Sequence, residues 1–179
     1  MLSLLLSIVF SLYPINQYKL IDGYSFKDSK FKSSPSNQTL FIIERNKNAN
    51  AIYYDANIIS GKINYDNPLD VYYIHYATDG NRCELNGIER KLAYGYKVIE
   101  KKEKSIIIQL VAYNKRNILL FQDIHNKTYA LININGKDAY LKKIFVYAKP
   151  KLYTSVEYIE LYGFDTKSNS PVYEKILNP

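Results

Sequence analysis

TYALININGKDAYLKKIFVYA, residues 128–148, decides the fold. Two runs of strand-forming residues flank Asn135-Gly136. An Asn-Gly pair supplies positive φ twice, as a type I′ hairpin turn requires. The second run carries an anomaly. Successive strand residues point to opposite faces, so the adjacent Lys142 and Lys143 put one ammonium on each. Neither face can be a dry core there, which predicts an edge strand or a bulge.

The same texture extends outward in both directions. Runs rich in Ile, Val, Tyr and Phe fall at 40–45, 51–56, 70–77, 96–100, 105–113, 118–123, 155–164 and 172–176. Turn residues separate them at intervals of about ten, the spacing of an antiparallel all-β domain. Ser60-Gly61 and residues 115–117 read as further turns. One segment departs from this. In CELNGIERKLAYG, residues 83–95, Leu85, Ile88 and Leu92 recur at helical spacing, Arg90 and Lys91 suit a last turn, and Gly95 suits a left-handed cap. The prediction is therefore a mainly β fold: a single antiparallel β-barrel or two-sheet sandwich with one short α-helix.

The domain division follows from composition. Residues 1–17 open with MLSLLLSIVFSLY, an apolar run too short to span a membrane as a helix and of the length of a secretory core segment. This predicts an exported chain, periplasmic or extracellular, without a transmembrane span once the leader is removed. Residues 18–38 are rich in Ser and Lys without a sustained period and read as a polar tether. Residues 39–179 form the β domain.

Net charge is +7, but the lysines are scattered, and the densest run, KVIEKKEK at 97–104, also holds Glu100 and Glu103. That is a solvated hairpin end rather than a nucleic-acid stripe. Nucleic acid is accordingly the least favoured partner. Cys83 is alone, so no disulfide forms within one chain. A nucleophilic role for it needs an imidazole close by, and the chain has two histidines, His75 and His125. Metal-ligand, phosphate-loop, dinucleotide and nucleophile-elbow motifs are all missing, so no cofactor, metal or catalytic set is assigned.

The candidate binding residues are polar groups at element ends, where loops carry function on a rigid scaffold. RNKNANAIYYD, residues 45–55, reads first as a hairpin loop, because Asn tolerates left-handed backbone. It also offers Arg45 as a fixed cation with the amides of Asn48 and Asn50. Arg90 and Tyr94 at the helix end converge with them if both ends share one mouth of the barrel. Tyr73 and His75 share a strand face, and Glu160 lies between Tyr158 and Tyr162 on another.

LFIIERNKNANAIYYDAN, NPLDVYYIHYA, IERKLAYG and VEYIELYG together resemble the bacterial family called domain of unknown function 4833. The resemblance spans residues 40–176, and its most specific parts are residues 45–50 with Tyr54, and Arg90 with Ala93-Tyr94-Gly95. It implies export, which agrees with the leader. A tryptophan is expected where this chain has Tyr73. No activity comes with the resemblance. The residues predict a non-catalytic binding or surface-interaction domain for a polar ligand, glycan or anionic. Arg and Asn groups hold the ligand and Tyr rings stack on it. The alternative is a cell-envelope hydrolase using Glu160 or His75 as base.

Overall fold

The computed structural model describes residues 38–47, 50–75, 79–149 and 155–179. The expected leader, residues 18–37 of the tether, and Asn48 lie outside the described residues.

The chain is mainly β with one short helical segment. In order, the strands are β1 Thr39–Arg45, β2 Ala51–Ala56, β3 Ile58–Ile59, β4 Lys62–Ile63, β5 Leu69–Ile74 and β6 Arg82–Glu84. They continue with β7 Tyr96–Lys102, β8 Ser105–Leu110, β9 Tyr113–Gln122, β10 Thr128–Ile134, β11 Lys137–Ala148, β12 Val156–Asp165 and β13 Pro171–Leu177. Between β6 and β7 sit a single α turn, α1 Gly87–Glu89, and a π-helical turn, Arg90–Tyr94.

The hairpin at Asn135-Gly136 forms as its residues dictate, with φ of 51° and 78° and Ile134 paired to Lys137. Ser60-Gly61 likewise turns between β3 and β4, with φ of 50° and 78°. Residues 115–117 do not turn; they lie inside β9. The chain reverses instead at Val111-Ala112, where Leu110 pairs with Tyr113 and the Val111 N–H donates to the Gly95 carbonyl. Two apolar residues carry no turn signature, so local sequence could not mark that reversal.

β11 organises the sheet, and its paired lysines mark how. Its first part pairs with β10, up to Tyr140 opposite Leu131. From Lys143 onward the same edge pairs with β1 in parallel, starting at Ile42. Between these partners β11 bulges against β12: Leu141 faces Gly163 and Lys143 faces Tyr162, leaving Lys142 as the extra residue. The bulge shifts the inward set from Ala139 and Leu141 to Ile144 and Val146. Of the two readings of the lysine pair, the bulge holds and the edge strand does not, because β11 is paired on both sides. The β1–β11 pairing is also a parallel contact inside an otherwise antiparallel sheet.

Gly163 permits this geometry. A Cβ there would lie 2.6 Å from the Tyr140 carbonyl oxygen and 3.0 Å from Ile134 Cδ1. Lys143, sent to the outer face, sits 3.4 Å from a Glu44 oxygen and over the Tyr162 ring.

Two leaves thus diverge from β11: β1-β2-β5-β6 and β10-β9-β8-β7. They curl into a half-barrel and share one core. Phe41, Ile43, Ile52, Tyr54 and Val71 come from the first; Ile106, Ile108, Ile118, Leu120, Ile132 and Ile134 come from the second. Burying each such side chain contributes about 1.5–3 kcal/mol relative to exposure. Polar ties close the seam. The Tyr96 hydroxyl donates to Asn67 Oδ1 at 2.8 Å and accepts from the Leu69 N–H at 3.2 Å, and the Ile63 N–H donates to Gln122 Oε1.

The helical segment differs from its expected form. Leu85 is buried, but Ile88 and Leu92 are 71% and 73% exposed. Only one α turn forms before the backbone widens to i→i+5 geometry, so the residues do not keep one stripe against the sheet. Gly95 has φ −71°, not the left-handed value. Glycine is needed for a different reason: a Cβ would fall 1.9 Å from the Arg90 carbonyl oxygen.

Candidate functional site

The site forms where the first leaf changes from apolar to polar. Register places Ile43, Ile52, Tyr73 and Cys83 in one row across β1, β2, β5 and β6. Paired residues share a face, so this row points into the fold. Two residues further along each strand direction, the same face carries Arg45, Asn50 and His75. The seam above is filled by α1 and the π-helical turn, which bring Glu89 and Tyr94.

Arg45, Asn50, Ile52, Tyr73, His75, Glu89 and Tyr94 line a cleft of about 130 Å³. That is small against typical ligand pockets of about 300–1,000 Å³, and suits a small molecule or one end of a larger one. The Arg45 Nη1 donates to the Tyr94 hydroxyl at 2.9 Å. Its Nε is buried with no hydrogen-bond partner among the described residues. A buried guanidinium N–H without an acceptor costs free energy that a ligand oxygen would recover.

Each wall has a local cause. Tyr94 is fixed from below by Tyr54, which is fully buried and donates its hydroxyl to the Tyr94 carbonyl at 2.6 Å. Burial, and then proximity to Tyr94, hold the Tyr54 phenol well above its usual pKa, so it remains a donor. Glu89 is set by a capping box. Asn86 Oδ1 accepts from the Ile88 and Glu89 N–H groups, and Glu89 Oε2 accepts from the Asn86 N–H at 2.8 Å. Asn-x-x-Glu is readable in sequence as a helix start, and it was the available signal for Glu89.

His75 follows β5, held by its N–H to the Asn81 carbonyl and by the Gly80 N–H to its own carbonyl. Its ring packs on Tyr73 with centroids 4.5 Å apart. Cys83 Sγ lies 3.6 Å from His75 Nδ1 and is half-buried. Burial first, and then Cys83 and Glu89, raise the Tyr73 phenol above its usual pKa. The imidazole that a reactive thiol requires is therefore present, a juxtaposition set by a β5–β6 register that spacing alone did not reveal.

The structure brings together Arg45, Asn50, Tyr73, His75 and Tyr94 of the sequence candidates. Arg90 turns away, donating through Nη2 to Glu84 at 3.1 Å and through Nε to the Leu85 carbonyl. Glu160 is on β12, where it accepts from the Tyr162 and Tyr173 hydroxyls, and it is not part of the cleft. Of the opening asparagines, Asn46 is a clamp: its amide donates to the Ala148 carbonyl and its Oδ1 accepts the Ala148 N–H, extending β11 by a strand-like bond pair. No group of three or more His, Cys, Asp or Glu suited to a metal occurs among the described residues. No helix among them is long and apolar enough to cross a membrane.

The sequence profile of the family described as Domain of unknown function (DUF4833) matches residues 41–175. No curated protein and no solved structure matches the chain. The matched span runs from β1 to β13 and contains every residue that lines the cleft. The chain belongs to the DUF4833 family.

Proposed function

We propose that this is an exported binding domain for a small polar ligand carrying a carboxylate, held in the Arg45 cleft. The observation that carries the reading is Arg45 itself, whose buried Nε lacks a partner among the described residues while its Nη1 is steered by Tyr94. A guanidinium fork matches a carboxylate bidentately. Glu89 narrows the ligand further. Its Oε2 is used by the capping box, and the other carboxylate oxygen suits a hydroxyl or ammonium donor. A hydroxy- or amino-carboxylate supplies both ends, and Tyr73 gives its carbon skeleton a ring to lie on. Export rests on the apolar leader at residues 1–13.

Calorimetric titration of the full chain with acetate, glycolate, alanine and a neutral sugar tests this. Glycolate or alanine should bind saturably and more tightly than acetate, and Arg45→Ala should abolish that binding. Failure of every carboxylate to saturate, or equal affinity in the variant, rejects the reading. Recovery of the chain in the cytoplasm on fractionation of producing cells rejects export.

A further inference from the structure

We propose that Cys83 is a nucleophile with His75 as its base, and that it accepts an acyl group from an ester or thioester seated in the Arg45 cleft. The substrate class rests on the carboxylate reading of that cleft; the nucleophile rests on the thiol–imidazole pair. Cys83 Sγ and His75 Nδ1 are 3.6 Å apart, within reach of proton transfer as the thiol attacks. His75 lines the cleft, as does Tyr73, and Cys83 stands next to them on the adjoining strand β6, opposite Tyr73. The His75 ring packs on Tyr73, and its backbone is held by hydrogen bonds with Gly80 and Asn81. The thiol is half-buried rather than sealed in the core, as a reacting sulfur must be. Arg45 lines the same cleft from β1, on the far side of β5 and β2 from Cys83, so it holds the carboxylate end of the substrate and leaves the reacting carbonyl to the thiol–imidazole pair.

The step balances within the site. Cys83 Sγ forms a bond to the carbonyl carbon while its proton passes to His75 Nδ1. The carbonyl carbon–oxygen or carbon–sulfur bond to the leaving group then breaks, and the departing alcohol or thiol takes that proton. A thioester remains on Cys83. Water, giving a proton to His75, attacks this thioester and releases the carboxylic acid and the free thiol. No oxidant or metal enters the cycle.

The full chain is mixed with 4-nitrophenyl acetate, and released 4-nitrophenolate is followed alongside the mass of the Cys83 peptide. A burst matching the amount of protein, with acetyl on Cys83, is expected. His75→Gln should slow acylation about a hundredfold, the scale of general base assistance. Independently of how that variant folds, the wild-type chain is also alkylated with iodoacetamide, folded and in urea. Alkylation faster in the folded chain supports the nucleophile. Alkylation no faster than in urea, or acetylation spread over lysines with Cys83 bare, overturns it. Acylation of Cys83 without saturable carboxylate binding keeps the nucleophile and removes the carboxylate site; carboxylate binding without acylation does the reverse.

Discussion

The Arg45 guanidinium reaches the Tyr94 hydroxyl across 2.9 Å, joining the end of β1 to the last residue of the π-helical turn. This contact orients the cation but leaves its charge for a ligand. Tyr94→Phe should therefore weaken carboxylate binding only severalfold, in line with about 0.5–1.5 kcal/mol for a neutral hydrogen bond. Arg45→Lys keeps the charge and loses the fork, and should cost about tenfold or more. Titration calorimetry on the two variants ranks them; a larger loss for Tyr94→Phe than for Arg45→Lys would make the hydroxyl the main ligand contact.

Gly163 is the weak point of the scaffold. Its missing Cβ is what lets β12 pass the bulge at Lys142, since that atom would sit 2.6 Å from backbone oxygen of Tyr140. Backbone cannot swing away as a side-chain tip can. Gly163→Ala should destabilise by about 2–3 kcal/mol, as overpacking in a tight core does. Urea unfolding measures it, and a midpoint equal to wild type would show that the strands can separate without cost.

Much of this was legible in the residues. Period-two runs located most strands, Asn135-Gly136 located the central hairpin, and the clash of Lys142 with Lys143 marked an irregularity there, read as an edge strand or a bulge, of which the bulge holds. What escaped was what long-range register decides. The β6 strand is three residues long and has no pattern of its own, yet it sets Cys83 against Tyr73 and so beside His75. Glu160 was legible only as a carboxylate between two tyrosines and a candidate base; Tyr162 and, from β13, Tyr173 both donate to it, a pairing that its own strand could not show. Ile88 and Leu92 carried a helical period that a π turn does not honour. Period reports which face a residue takes, and only pairing reports what stands opposite.

Glu174 ties β13 to the central hairpin. Arg116 donates through Nη1 and Nη2 to its two oxygens at 2.7 and 2.6 Å, and the Asn135 N–H donates to Oε2. Arg116 first, and then the Asn135 N–H, hold the Glu174 carboxyl below its usual pKa against the opposing effect of burial. The folded state thus binds fewer protons than the unfolded chain. The stabilisation is complete above the ordinary glutamate pKa of about 4.3 and disappears as pH falls through the lower folded value. Asp165 and Asp123, held by backbone N–H groups, act in the same direction. Glu174→Gln should lose about 1–3 kcal/mol at neutral pH and show a flatter acid limb. Urea midpoints collected between pH 7 and pH 3 give both quantities, and parallel curves for the two proteins would rule this pair out as a source of acid sensitivity.

Tyr54 couples the core to the cleft. It stacks on Phe41 with ring centroids 4.4 Å apart, and its hydroxyl is the support under the Tyr94 carbonyl. Tyr54→Phe keeps the ring and its burial, so the packing contribution survives. It strips the Tyr94 carbonyl of this donor at the end of a π-helical turn, where backbone acceptors are already short of intrahelical partners. The expected cost is about 1–2 kcal/mol of stability. A second consequence follows from the covalent link between that carbonyl and the Tyr94 ring: with the backbone released, the hydroxyl no longer holds Arg45 in one orientation. Tyr54→Phe should therefore weaken carboxylate binding although it does not line the cleft, and Tyr94→Phe should erase the difference. A double-mutant cycle on binding tests this, since independent effects add and coupled ones do not. Additivity of Tyr54→Phe and Tyr94→Phe would confine Tyr54 to the core and leave Arg45 positioned by other means.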